Sequence, residues 1–328
     1  MSEPKTIALR TTNLEVGYIK DKKDFPLFEE LNLSLHSGEL VCFMGSNGIG
    51  KTTLIKTLAG LHKPLQGSAE FPDNQSVALV LTDRITSSLM TVYDLVTYGR
   101  YPYLNWDISL SPKDYEIIDN AILQVHLESL VNKRLYELSD GQLQMAMLAK
   151  ALAQNTSILF LDEPTAHLDL NNRVEIMNIL RTLSRTAGKT ILIATHELDL
   201  ALQTADRIWL ATPDRKILQG IPEDLVLDGT FDEIFQFKGF DLKTGKLSHE
   251  AYRKVNIQLE GNGYEYLWTK NAFERNGYEV KPSASIKVSV LQKGNKLIWT
   301  ISKDKEEESF NTLAELLESL ESQILKIV

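Results

Sequence analysis

The sequence predicts an α/β domain carrying a helical subdomain, followed by a small α+β domain. Three observations carry this. Short apolar runs of strand length alternate with helical stretches between residues 40 and 220. From residue 91 to 155 the strand-like runs disappear and helical periodicity takes over. A mixed aromatic, charged and glycine-bearing junction, Phe231 to Lys246, precedes a new set of strands and helices. The boundaries expected are 1–229 for the first domain, with its helical subdomain at about 85–155, and 230–328 for the second. At 328 residues the chain is too long for one ordinary core.

Composition narrows the class. Hydrophobic content of 43% and charged content of 24% are those of a soluble globular protein. The net charge of −9 argues against a nucleic-acid partner. Cys42 is the sole cysteine, so no disulfide forms within the chain, which suits a reducing compartment. It lies inside an apolar strand and reads as a buried structural thiol. No apolar run approaches the ~18–20 residues that span a bilayer. Met1 to Lys5 lacks a signal-peptide core. The expectation is a cytosolic protein with no transmembrane segment, free to dock on a membrane partner.

The chain opens with strand-like Ile7 to Arg10 and an alternating Leu31 to Leu35. Tyr18 between them is either a packing aromatic or a face for a nucleobase to stack on. Leu40 to Met44 is an apolar strand. The stretch Gly45-Ser46-Asn47-Gly48-Ile49-Gly50-Lys51-Thr52-Thr53 follows, and a helix runs on to Leu61. Two glycines with four residues between them, then Lys and Thr, between strand and helix, form a phosphate-binding pattern. Backbone N–H groups in such a loop point at phosphate oxygens. The helix N-terminus adds about half a positive charge. Lys51 supplies a cation for the β/γ-phosphates, and the Thr52 hydroxyl can ligate Mg²⁺.

Pro64 and Gly67 mark a turn. Ser76 to Leu81 is a second buried-type strand, with Thr82-Asp83-Arg84 at its C-terminal end, where ligand-contacting residues of open α/β sheets gather. Thr91 caps a helix with Asp94 at its third position. Tyr101 to Trp106 is an aromatic loop, read as a docking surface or as subdomain core. Pro112 begins a helix capped by Ser111. Ser139 in Leu138-Ser139-Asp140-Gly141-Gln142 caps another, and the Gly141 backbone can approach a ligand closely.

Ser157 to Leu161 is a third strand, ending at Asp162-Glu163. Two carboxylates there fit Mg²⁺ at Asp162 and water activation at Glu163. Val174 to Arg185 is an amphipathic helix stopped by Gly188. Thr190 to Ala194 is a fourth strand, ending at Thr195-His196-Glu197, so His196 can reach the same site. Arg207 to Ala211 and Lys216 to Gly220 form a closing hairpin. In the tail, Lys254 to Glu260, Tyr278 to Val280, Ile286 to Leu291 and Lys296 to Ser302 are strands. Tyr266 to Asn276 and Phe310 to Ile324 are helices, and Lys303 to Glu308 is a solvated turn.

The ordered set over about residues 5–225 resembles the ATP-binding cassette (ABC) family of transporter ATPases, which are P-loop nucleoside triphosphate hydrolases. Gly45 to Thr53 resembles the family's phosphate loop, Leu138 to Gln142 its signature, and Leu159 to Glu163 its Mg²⁺ strand. Asp169, in Ala166-His167-Leu168-Asp169, falls in its dimer-contact loop. His196 matches its switch histidine and Tyr18 its adenine-stacking aromatic. The resemblance implies a homodimer, with each ATP between one subunit's phosphate loop and the other's signature, driving integral-membrane permease subunits. Thr52 and Asp162 would hold Mg²⁺, Glu163 would polarise water, and His196 would contact the γ-phosphate. Two positions depart from the pattern. Thr82 stands where Gln is usual, so it would reach the metal only through water. Asp140 stands where the signature has Gly.

The stretch Met90 to Tyr103 is similar to importers of iron(III)-siderophores, haem and cobalamin. Such an importer ATPase lies on the cytoplasmic face of the inner membrane, and its cargo comes from a periplasmic substrate-binding protein. Trp268 to Gly277 is similar to extensions on importer ATPases of Bacteroides-type bacteria. The alternative is a soluble cassette ATPase with a non-transport role, in cluster assembly or regulation.

Overall fold

The computed structural model describes residues 6–72, 76–81, 89–104, 106, 109–237, 239–243, 245–247, 251–253, 255–293, 296–303 and 306–325. The chain divides into two compact units, Met1–Gln236 and Phe237–Val328.

The first unit begins with β1 (Ile7–Lys20), β2 (Lys23–Leu31) and β3 (Ser34–His36), followed by β4 (Leu40–Met44), α1 (Lys51–Leu58) and β5 (Gln66–Glu70). The long β1 pairs antiparallel with β3 and β5 through its first half and with β2 beyond Leu14, where the register shifts. The expected strand Leu31 to Leu35 is therefore two strand ends. Asn32 breaks it: its amide donates to Asn13 Oδ1 (3.1 Å) and to the Glu30 carbonyl (3.0 Å). Side-chain bonds of this kind replace ladder bonds. Nor does the chain simply turn at Gly67, which lies within β5.

The central sheet is built from β4, β6 (Val77–Val80), β7 (Ile158–Asp162), β8 (Thr190–Ala194), β9 (Arg207–Ala211) and β10 (Ile217–Gly220). Among the described residues its order is β10-β9-β4-β8-β7-β6, parallel except for the β9–β10 hairpin. Every residue of β4, β7 and β8 is buried. That is why these strands read as unbroken apolar runs: a parallel sheet is covered on both faces. Each buried Leu, Ile or Phe contributes about 1.5–3 kcal/mol.

The helical part holds α2 (Val92–Thr97), α3 (Pro112–Gln124) and α4 (Asp140–Ala153). Thr91 and Asp94, Ser111 and Asp114, and Ser139 and Gln142 form reciprocal caps at their N-termini. The expected aromatic loop begins as a 3₁₀ helix, Tyr98–Tyr103. Arg100 is buried behind it. Its Nε donates to Asp114 Oδ1 (2.8 Å), its Nη1 donates to the Ala153 carbonyl (2.9 Å), and its guanidinium lies 4.4 Å from the Tyr103 ring centre. One cation thus ties the aromatic turn to the start of α3 and the end of α4. Removing one partner of such a buried pair costs about 3–5 kcal/mol. The unit closes with α5 (Leu170–Ala187), α6 (Leu198–Thr204), α7 (Pro222–Leu227) and α8 (Thr230–Phe235).

The second unit holds the pair β11 (Phe240–Asp241) and β12 (Lys246–Leu247), then β13 (Asn256–Glu260), α9 (Gly263–Arg275), β14 (Glu279–Val280), β15 (Ile286–Lys293), β16 (Lys296–Lys303), β17 (Glu306–Phe310) and α10 (Leu313–Leu325). The sheet order is β14-β13-β15-β16-β17. Phe273, Val288, Trp299, Leu316 and Leu320 form its core. The buried Trp299 indole donates to Thr269 Oγ1 at 2.8 Å, so its polar edge is satisfied. The expected turn at Lys303 to Glu308 is corrected: Glu306 to Glu308 lie in β17, paired with β16. Asp304 and Lys305 fall outside the described residues. Phe310 ends that strand, and the helix starts later, behind a cap exchanged between Thr312 and Glu315.

Hydrogen bonds from Ser111, then from Arg100, hold the Asp114 carboxyl at about 2, below its ordinary 3.8. A carboxylate depressed in the folded state adds stability above its unfolded pKa and loses it as pH falls through the folded one. Thermal melts of the wild type and Asp114→Asn should therefore differ most at pH 7 and converge between about pH 4 and pH 2. A constant gap across that window would refute the role given to Asp114.

Candidate active site

The loop after β4 delivers the phosphate-type residues to the C-terminal edge of the sheet. Gly50 is the N-cap of α1, with φ +113°, and no side chain caps the helix. A Cβ there would sit 3.0–3.3 Å from Leu27 and Phe28, so both backbone and packing require glycine. The first-turn amides of α1 are left for a ligand. Lys51 is 6% exposed and folds back, donating to the carbonyls of Gly45 (2.9 Å) and Ser46 (3.3 Å). Burial pushes its pKa down, while Glu163 and Asp162 pull it back up.

A cleft of about 510 Å³ opens here. Asn47, Gly48, Gly50, Lys51, Thr52 and Thr53 line it, together with Glu163, His196, Tyr18 and Leu27. Gly45, Ser46 and Ile49 do not: the first two turn carbonyls to Lys51, and Ile49 packs against the core. Asp162 ends β7 and is buried. Burial raises its pKa, and a hydrogen bond with Thr52 partly offsets this.

Glu163, the next residue, has a left-handed backbone, φ +48°. That conformation costs about 1–2 kcal/mol. Its amide is fixed on the Ala194 carbonyl at 2.8 Å, so β7 and β8 end together. Glu163 Oε1 lies 3.6 Å from His196 Nδ1, and His196 Nε2 lies 3.8 Å from Glu197 Oε1. Tyr18 is half exposed and stacked on Phe25, with ring centres 5.4 Å apart and planes inclined by 11°.

The other candidates are not brought to this cleft within one chain. Ser139 and Asp140 are exposed at the start of α4, with Gly141 buried behind them. Leu138 precedes them, and Gln142 closes the cap with Ser139. Asp169 caps α5, its Oδ1 accepting from the Asn172 amide at 2.9 Å. Thr82 lies outside the described residues. Leu27 was missed in sequence, although Phe25-Pro26-Leu27-Phe28 faces Tyr18 across a hairpin and offered the signal.

Residues 28–166 match the ABC transporter family, and residues 253–321 match the iron ABC transporter C-terminal domain. The petrobactin import ATP-binding protein FpuD of Bacillus anthracis is 36% identical over 244 residues, covering 70% of this chain and 87% of that protein. The chain belongs to the ABC transporter family of ATP-binding proteins. The iron(3+)-hydroxamate import ATP-binding protein FhuC of Bacillus subtilis is 30% identical over 241 residues, covering 70% of this ATPase and 88% of that protein. Among solved structures, cbiO1 from Clostridium perfringens, part of the ABC transporter complex cbiONQ, superposes with a TM-score of 0.60 at 26% identity. It covers 70% of this ATPase and 96% of its own chain. Among the described residues no helix is long and apolar enough to cross a membrane.

Burial pushes the Cys42 thiol in β4 up to about 12. The native ATPase should therefore resist thiol reagents at pH 8 and release its thiol only in denaturant. Rapid labelling of the folded protein would show that β4 is not sealed.

Proposed function

We propose that the chain is the ATP-hydrolysing subunit of a bacterial importer of ferric chelates. It works as a homodimer on the cytoplasmic face of the inner membrane, against integral permease subunits served by a periplasmic binding protein. The observation that carries the reading is the meeting of Lys51, Thr52, Glu163 and His196 on one cleft, with Asp162 bonded to Thr52 behind it.

Lys51 exchanges its two carbonyl partners for phosphate oxygens, and the loop amides complete the cradle. The Thr52 hydroxyl and Asp162 carboxylate are hard oxygen donors that suit Mg²⁺, which when bound neutralises charge on the β/γ-phosphates. Glu163 orients the attacking water and accepts its proton, and His196 contacts the γ-phosphate. Tyr18, backed by Phe25, offers a flat face to adenine. Ser139, Asp140 and the Gly141 backbone meet the partner's ATP, a role supported by the exposure of Ser139 and Asp140.

The permease face is assigned to the aromatic turn, where Tyr98, Tyr101, Tyr103 and Trp106 are exposed. Iron cargo is favoured over cobalamin by the tail's match to an iron transporter C-terminal domain and by the petrobactin and iron(3+)-hydroxamate relatives.

Glu163→Gln should lower kcat by at least about 100-fold and trap an ATP-bound dimer on gel filtration. A monomer with full turnover would refute Glu163 as the base. Tyr18→Ala should raise the KM for ATP about tenfold with kcat nearly unchanged, since base–aromatic stacking contributes about 1–3 kcal/mol. For transport, ATPase activity in permease vesicles should rise when binding protein loaded with ferric chelate is added, and a flat response would count against import.

A further inference from the structure

A continuous set of close contacts runs from the signature helix to the switch histidine through the first turn of α5. A Cβ on Gly141 would lie only 2.6–2.8 Å from the amide of Asn172, so the side chain of Asn172 packs directly on the Gly141 backbone. Asp169 fixes that amide, its Oδ2 accepting from Asn172 Nδ2 at 2.8 Å. The next residue, Arg173, donates from Nε to the Leu168 carbonyl at 2.6 Å. Its Nη1 contacts both oxygens of Glu197, at 2.8 and 2.9 Å. The Glu197 carboxylate is largely buried, and its Oε1 lies 3.8 Å from His196 Nε2. Its amide is pinned on Thr195 Oγ1 at 3.0 Å.

From this geometry we propose that Asn172 and Arg173 are positioning residues that couple the two ATP sites of the dimer. The inference rests on the dimeric reading above. In that dimer Gly141 meets the partner's nucleotide while His196 meets the chain's own. Arg173 is planar, with its Nε and Nη1 set at fixed separation, so it cannot keep both partners if one moves alone. A shift of the Leu168–Asp169 segment on dimer closure is therefore transmitted to Glu197, and from Glu197 to His196. Charge-assisted bonds to a buried carboxylate make the link stiff. Neither Asn172 nor Arg173 lines the cleft, so neither touches the nucleotide of its own chain.

The test is ATP hydrolysis by the full chain as a function of ATP concentration. The wild type should be cooperative, with a Hill coefficient approaching the number of sites, two. Arg173→Gln should lower kcat about tenfold, leave half-saturation within about twofold, and bring the Hill coefficient towards one. Arg173→Lys keeps the charge but not the fork, and should lose cooperativity as well. Glu197→Gln should reproduce Arg173→Gln, and the double variant should be no worse than the poorer single one.

Strictly additive losses, or a Hill coefficient unchanged in both Arg173→Lys and Glu197→Gln, would overturn the coupling, as would a non-cooperative wild type. A lowered Tm with unchanged cooperativity would show that the pair serves folding alone. If Arg173→Gln does not fold, Arg173→Lys and Glu197→Gln decide. Loss of the site reading is a separate result: it would appear as a wild type without ATPase activity, or as Glu163→Gln with full turnover.

Discussion

A buried ammonium facing two carboxylates is the constraint on which the first unit depends. Lys51 is desolvated, and Glu163 and Asp162 favour its charged form. Such a group is stable only if its partners are held close and its protons are satisfied. The parallel sheet meets the first condition. β4 and β7 both flank β8, and their C-terminal ends place the loop, Asp162 and His196 together. The carbonyls of Gly45 and Ser46 meet the second. These partners are weaker than phosphate, so the loop is built for a ligand more highly charged than itself.

The helical part follows a different logic. Its three helices are short to medium in length and begin on reciprocal side-chain caps. Each cap contributes about 0.5–2 kcal/mol, too little to orient one helix against another. Arg100 supplies the orientation by binding the start of α3 and the end of α4 from beneath the aromatic turn. Asp140 also finds its reason here. Exposed in the first turn of α4, it faces the positive end of the helix dipole, which stabilises a carboxylate by about 0.3–1 kcal/mol. A glycine in the same place would cost the helix about 1 kcal/mol relative to alanine.

What could be read from the residues follows from how each element is buried. The strands β4, β7 and β8 announce themselves because burial on both faces demands unbroken apolar runs. The glycine loop and the three caps were legible because each needs particular residue types at fixed spacing. Only the first residues of β1, Ile7 to Arg10, were legible, and β5 was not, since the rest of β1 alternates irregularly around its register shifts and β5 is mostly exposed. Likewise the sequence marks His196 and Glu163 but not the Arg173–Glu197 pair. Arg173 sits on a helix and Glu197 after a strand, and only the folded chain brings them within 3 Å.

The tail shows the same rule from the other side. In β15 and β16, Val288, Val290, Trp299 and Ile301 are buried while Lys287 is exposed and Ser289, Thr300 and Ser302 are half-buried, so a period of two is plain. β17 breaks it: the acidic run Glu306, Glu307 and Glu308 precedes Phe310, with no apolar residue alternating through it. Glu308 stands opposite buried Ile301, and its Oε2 accepts from Ser319 of α10 at 3.0 Å. An exposed charge such as Glu308 on an edge strand discourages the addition of another strand. The acidic tract that reads as a solvated turn is therefore the device that ends the sheet, and its charge both hides the strand in the sequence and protects it in the fold.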